Sequence, residues 1–238
     1  MQIMLFFIIV FIASILQTST GFGFSILATP FLLLLFEPAY AIQINLVLSF
    51  FISLALITTI RKDIRFDMIT RLVIGSFIGL PIGIGIFLYL NTFLLKIVVG
   101  MIILMLTILL VLQYRIHQHE RKDIFVGSIS GLLTTSIGMP GPPLLLYFAG
   151  AKMGKETIRG TTLAFYLFIY IASLIFQITF AGTGIIVWKS VLYALPIVVI
   201  GLILGQKLFI RINQRVFQIF TYVLLAFTGL YLLIESFY

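Results

Sequence analysis

The sequence predicts an all-α integral membrane protein with two inverted repeats, each a broken-helix hairpin followed by three transmembrane helices. Three observations predict it. The composition cannot furnish a water-facing surface: 62% of the 238 residues are hydrophobic and 9% are charged, with a mean hydropathy of +1.25. A soluble domain carries about 25% charged residues. Apolar runs longer than the roughly 18 residues of a spanning helix recur along the whole chain. The basic residues, finally, gather on one membrane face under only one threading of those runs. The alternating segments of about ten residues that mark a β-barrel are absent from the sequence.

The first apolar run, 3–36, has 34 residues. At 1.5 Å per residue it makes about 51 Å of helix, too long for one crossing of a roughly 30 Å core. It is interrupted by TSTGFGFSILATP, Thr18 to Pro30, with the break placed at Gly21–Gly23. Three unbroken runs follow, 41–60, 72–90 and 93–113, and then the polar stretch QYRIHQHERKD. The second half repeats the plan. Run 124–150 is broken around Gly138–Pro143 by TTSIGMPGPPLLLYF, and 158–181, 189–209 and 216–234 follow. The chain is therefore divided into a first transmembrane repeat over 1–113, a cytoplasmic linker over 114–123 and a second, inverted repeat over 124–238. The N-terminal stretch MQIMLFFIIVFIASILQ lacks the basic region of a signal peptide and is read as a structural segment.

Charge parity sets the threading. If both broken runs fold back as hairpins, 13 of the 15 Lys and Arg residues share one face, and only Lys96 and Lys189 lie opposite. If both cross once, the split is 8 to 7. Positive charge concentrates in cytoplasmic loops, which selects the hairpins and puts both termini outside. The short, proline-rich second arm of 124–150 favours a re-entrant tip there. Each half then has a hairpin and three crossings, so the second is inverted. Sparse matches accompany the parity. Thr18, Ser19 and Gly21 correspond to Thr135, Ser136 and Gly138 at an offset of 117; Gly79, Gly83 and Asn91 correspond to Gly201, Gly205 and Asn213 at 122.

Broken backbone in hydrocarbon leaves N–H and C=O groups unpaired at several kcal/mol each, so it survives only inside protein or beside a polar cavity. A helix that starts inside the membrane presents free N–H groups and the positive end of its dipole. Two such starts meeting near the midplane make an anion site. The candidate ligands are Thr18, Ser19, Thr20, Gly21 and Gly23 of the first break, and Thr135, Ser136, Gly138 and Gly141 of the second. The competing role for these small residues is helix packing.

Arg159, in KETIRGTTLAFYLF, follows the second hairpin, and a guanidinium forks onto two oxygens of a tetrahedral anion. Its competing role is an interfacial arginine. Asn45 holds a similar place in the first half; for Asn45, Gln43 and Gln177 the alternative is interhelical hydrogen bonding. Trp188 and Tyr193 read as interface anchors, and His117 and His119 as solvated loop residues. With no cysteine and no carboxylate–histidine cluster, no metal site and no cofactor are expected. No hydrolytic motif occurs, so an enzyme is not expected. The seven acidic residues all map to segment ends or loops.

The two glycine-broken stretches TSTGFGFSILATP and SIGMPGPPLLLYF, the following KETIRGTT and the short basic loop between halves resemble the TauE/SafE sulfite exporter family, also called TSUP, over essentially the whole chain. The resemblance implies transport of sulfur-containing anions, sulfite or organosulfonates, across the bacterial plasma membrane. The function expected is secondary transport by alternating access at a midplane site, driven by the membrane potential. The alternatives are an anion channel, an importer of another small anion, and a non-transporting membrane adaptor. The expected partners are a small anionic sulfur compound and the lipid bilayer, with no nucleic acid; a homodimer is an open alternative.

Overall fold

The computed structural model describes residues 2–89, 92–112, 118–150 and 153–211, with scattered positions between 216 and 234. Regular structure among the described residues is helical throughout. In chain order it comprises α1 (Gln2–Thr20), α2 (Gly23–Leu35), α3 (Pro38–Ile60), a 3-10 turn (Arg61–Asp63), α4 (Phe66–Tyr89), α5 (Thr92–Val111), α6 (Glu120–Ile137), α7 (Gly141–Gly150), α8 (Lys155–Ala181) and α9 (Ile185–Arg211). Five of these, α1, α3 with its turn, α4, α8 and α9, are long and apolar enough to cross a bilayer. The protein is thus an all-helical, multi-pass membrane protein. Most of the expected last crossing, linker positions 114–117 with His117, and the matched pair Asn91 and Asn213 lie outside the described residues.

Both expected breaks exist, and each turns on a glycine that the backbone requires. Gly21 has φ +92° and Gly138 has φ +74°, a left-handed region that costs other residues about 1–2 kcal/mol. At Gly138 the amide closes on Thr134 O at 2.7 Å, the bond of an αL cap, and Met139 N–H reaches Leu133 O at 3.2 Å. At Gly21 the amide closes on Gln17 O at 2.7 Å, and the Thr20 hydroxyl accepts from Phe22 N–H at 3.3 Å. Prolines 142 and 143 fall in the first turn of α7, where missing N–H groups leave no helix bond unmade.

Each broken run returns to the end at which it entered. Phe36, just past α2, sets its ring 5.5 Å from that of Phe6 near the start of α1. Tyr147, late in α7, hydrogen-bonds Asp123 in the first turn of α6 and accepts from His119 N–H at 3.2 Å. Asp123, read from the sequence as a linker residue, is therefore wholly buried; its second oxygen takes Arg71 Nε at 2.7 Å.

Two glycine seams join the hairpins to later helices. On α4, Gly75, Gly79 and Gly83 lie against Ile124, Ser128 and Leu132 of α6; in return Gly127 and Gly131 lie against Leu72 and Ser76. On α9, Gly201 and Gly205 lie against Ser14 and Thr18 of α1. Residue numbers rise together along both seams, so α4 runs parallel to α6, and α1 to α9. Small residues at these spacings let backbones approach closely, the packing that serves where lipid removes any hydrophobic drive between helices. Gly79 and Gly201, matched in the sequence, thus sit in corresponding seams.

One end of the bundle collects charge: Arg65–Asp67, Arg71–Glu120, Arg71–Asp123 and Lys155–Glu156 are paired there. Lys189 lies at the other end, beside Gln2 and Phe36. The polarity of the section is reversed from that of a soluble protein. Ile74, Phe77, Ile78, Ile82, Ile200 and Ile203 face outward, while Gln17, Asn45, Ser49, Ser53, Ser173 and Gln177 are fully buried.

Candidate functional site

The two breaks face one another in the interior. A Cβ placed on Gly141, the first residue of α7, stands 3.4 Å from Phe22 Cβ and 3.2 Å from Ile26 Cδ1. The helix starts at Gly23 and Gly141 are therefore neighbours; α2 opens with the N–H groups of Gly23, Phe24 and Ser25, whereas α7 opens with Gly141 and two prolines that carry none.

Arg159 adjoins the first break. It is 4% exposed, one turn into α8, and a Cβ on Gly21 would sit 3.2 Å from its Cα and 3.4 Å from its Cγ. Its guanidinium lies 4.2 Å over the Phe209 ring, and Nη2 donates to Gln206 Oε1 on α9. Its Nε has no hydrogen-bond partner among the described residues, and no carboxylate comes within ion-pair distance there. Asp63, beside Gly160, is near but unpaired with it. A buried guanidinium held by a neutral amide and a ring has no charge partner among the described residues, an expensive arrangement.

Asn45 adjoins the second break. Its Nδ2 donates to Gly138 O at 2.7 Å and its Oδ1 accepts from Ser49 at 3.4 Å. The hydrogen-bonding alternative for this residue is what the structure displays. The same holds for Gln43, which donates to Gly182 O at 2.7 Å, and Gln177, which donates to Thr135 O at 2.6 Å.

The remaining expected ligands separate by where they point. Ser19, Thr20, Thr135 and Ser136 turn their hydroxyls back onto carbonyls of their own helices. Thr18 packs against Gly205 of α9, and its hydroxyl has no partner among the described residues. Gly23 lets α2 fold onto α1, since a Cβ there would strike Leu16.

Two tyrosines escaped the sequence reading. Tyr166 and Tyr170 of α8 are fully buried, with ring centroids 4.9 Å apart. Tyr170 OH lies 3.4 Å from Ser25 Oγ on α2, and Tyr166 OH stands 3.0 Å from a Cβ placed on Gly141. Aromatic residues in an apolar helix look like core; the signal available was their spacing from Arg159, seven and eleven residues on, which places all three on one helix face. The site thus offers hydroxyl, amide and guanidinium donors around two helix starts and, among its described residues, no metal cluster.

No curated protein and no solved structure gives a match to this sequence. A family model described as sulfite exporter TauE/SafE matches residues 6–232, which takes in both breaks, Arg159, α2 to α9 and all of α1 but its first four residues. The chain belongs to the TauE/SafE sulfite exporter family of membrane transporters.

Proposed function

We propose that the protein is a secondary transporter that exports a small sulfur oxyanion, sulfite or an organosulfonate, by alternating access at a site between the two breaks near the middle of the bundle. The observation that carries this reading is Arg159: a buried guanidinium without a carboxylate partner among the described residues, against the backbone of Gly21 where a helix starts inside the protein. The free Nε–H of that guanidinium suits a group that only accepts hydrogen bonds.

Alternating access is read from an inverted repeat, which we infer over 1–113 and 124–238. The packing supports it. The first arm of one hairpin, α1, packs parallel to α9; the first arm of the other, α6, packs parallel to α4. Exchanging the halves exchanges these two seams, and it exchanges the positive-φ glycines Gly21 and Gly138. Two equivalent bundles rocking about a fixed site follow from that arrangement.

The charged end of the bundle is assigned to the cytoplasm, and both termini to the opposite side, by the positive-inside rule. An inside-negative potential then favours anion efflux by about 2.3 kcal/mol per charge per 100 mV. That force needs no intramembrane proton carrier; the buried Asp123 is already held by Arg71 and Tyr147. Purified protein in proteoliposomes loaded with sulfite tests the proposal. Saturable efflux supports it, and Arg159→Lys should lower the apparent affinity more than tenfold because an ammonium cannot fork onto two oxygens.

A further inference from the structure

Arg159 is the first member of a polar stripe that runs the length of α8. Arg159, Thr162, Tyr166, Tyr170, Ser173 and Gln177 recur at spacings of three and four residues and so share one face. Thr162, Tyr166, Tyr170, Ser173 and Gln177 are wholly buried. This one face touches both hairpins in turn. Arg159 meets Gly21, Tyr166 meets Gly141, Tyr170 meets Ser25, and Ser173 Oγ lies 3.3 Å from Thr135 Oγ1.

The upper members have partners for their donors, with the acceptor Gln177 Oε1 left over, whereas the lower three have unpartnered donors. Arg159 Nε, Thr162 Oγ1 and Tyr166 OH have no hydrogen-bond partner among the described residues. Each of these groups carries a hydrogen to donate. An unpartnered buried polar group costs about 1–3 kcal/mol, and three successive unpartnered donors on one face point to a ligand that supplies acceptors. Tyr166 adds a second coincidence. Its hydroxyl stands beside Gly141, the first residue of the ten-residue helix α7, where side-chain bulk is missing. The phenol oxygen and the start of α7 converge on one spot, where Gly141 supplies the one N–H ahead of Pro142 and Pro143.

We propose that Tyr166 and the N-terminus of α7 form a second subsite for the transported oxyanion, reached from Arg159 through Thr162. This rests on the transport reading above and adds a second station to it. Seven residues of helix separate Arg159 and Tyr166, about 10 Å, which exceeds the span of an anion the size of sulfite. One such ion therefore occupies the two stations in succession. At Arg159 it meets a full charge; at Tyr166 it meets only dipoles, a weaker hold from which it can leave. The first break thus supplies capture and the second supplies release.

Tyr166→Phe removes the hydroxyl and keeps the ring. If the hydroxyl were only a buried orphan, its removal would be neutral or stabilising and transport would be unchanged. The experiment measures sulfite efflux from proteoliposomes and equilibrium binding of labelled sulfite. The expected result is efflux lowered at least tenfold, sulfite affinity within twofold of wild type and an unchanged melting temperature. Gly141→Ala, whose new methyl stands 3.0 Å from the phenol oxygen, should likewise slow efflux at least tenfold. Gly85→Ala, with nothing within 4 Å, serves as the control. Wild-type efflux with unaltered efflux in both Tyr166→Phe and Gly141→Ala overturns the second subsite and leaves the transport reading standing. Efflux and affinity falling together in Tyr166→Phe also overturns it, because that result describes one site. A wild-type protein that carries no sulfite overturns both.

Discussion

Gly21 and Arg159 are pressed together: a methyl on the glycine would lie 3.2 Å from the arginine's Cα. One residue turns the chain inside the membrane, and the other brings a positive charge to the turn. Replacing Gly21 with Ala asks for two things at once, a left-handed backbone at φ +92° and a small retreat of α8. The strain is about 1–2 kcal/mol. The expected outcome is a folded, monodisperse protein with sulfite binding weakened at least tenfold, measured by titration in detergent. Unchanged affinity would mean that the break is a packing device.

Gly138→Val tests the second break. A Cβ there would lie 2.6 Å from Asn45 Nδ2 and displace the amide that caps the turn through Gly138 O. Sulfite efflux should fall at least tenfold while the protein still elutes as a single species. Asn45→Ala, which removes the same hydrogen bond without the methyl clash, should reproduce part of that loss; wild-type efflux in both variants would detach the second break from the anion.

The glycine seams should respond in stability and not in binding. A methyl on Gly79 would run into the backbone of α6 at Ser128 and Leu132, and one on Gly201 would meet Ser14 Cβ at 2.5 Å. Neither helix yields without separating, so both Gly→Ala variants should lower the melting temperature by several degrees or more. The affinity of whatever folded protein remains should match wild type. A Gly79→Ala protein as stable as wild type would contradict the close α4–α6 approach.

Asp123 is the buried counter-ion of Arg71 and the acceptor for Tyr147. Asp123→Asn leaves Arg71 without its inner partner. Because Arg71 keeps Asp67 within 3.2 Å and is partly exposed, the loss should reach at most about 3 kcal/mol, below the full cost of breaking a wholly buried pair. It reads as a lowered melting temperature, with Tyr147→Phe giving a smaller drop. Stability equal to wild type in Asp123→Asn would show that this network does not hold the second hairpin closed.

Much of this arrangement was legible in the sequence because glycine and charge carry physical meaning by themselves. Gly21 and Gly138 announced breaks that no apolar helix tolerates without cause, and both proved to need positive φ. The burial of Arg159 beside Gly21 lay within reach of the same argument. Tyr166 and Tyr170 did not, because a tyrosine in an apolar run has the same composition signal whether it faces lipid or the interior. Asp123 was hidden for a different reason. It closes a run of charges that reads as a solvated loop, and its partner Arg71 lies 52 residues away, a pairing that only tertiary structure makes. Ser19, Thr20, Thr135 and Ser136 were read as free donors, yet a hydroxyl in a helix has a carbonyl three or four residues back, and all four use it.

Orientation is open to a direct check. Single cysteines at Ala39, before the interior of α3, and at Gln118, before α6, lie at opposite ends of the bundle in this account. An impermeant thiol reagent applied to intact cells should label the first and leave the second untouched until the membrane is opened. The reverse pattern would place the charged end outside.

The central claim is that the breaks and Arg159 form a transport site for a sulfur oxyanion. Its most direct test is sulfite efflux from proteoliposomes of purified protein with an imposed inside-negative potential. Efflux should saturate with internal sulfite, accelerate as the potential is raised, and lose apparent affinity more than tenfold in Arg159→Lys. Efflux no faster than from protein-free liposomes, or efflux that the lysine variant reproduces, would contradict it.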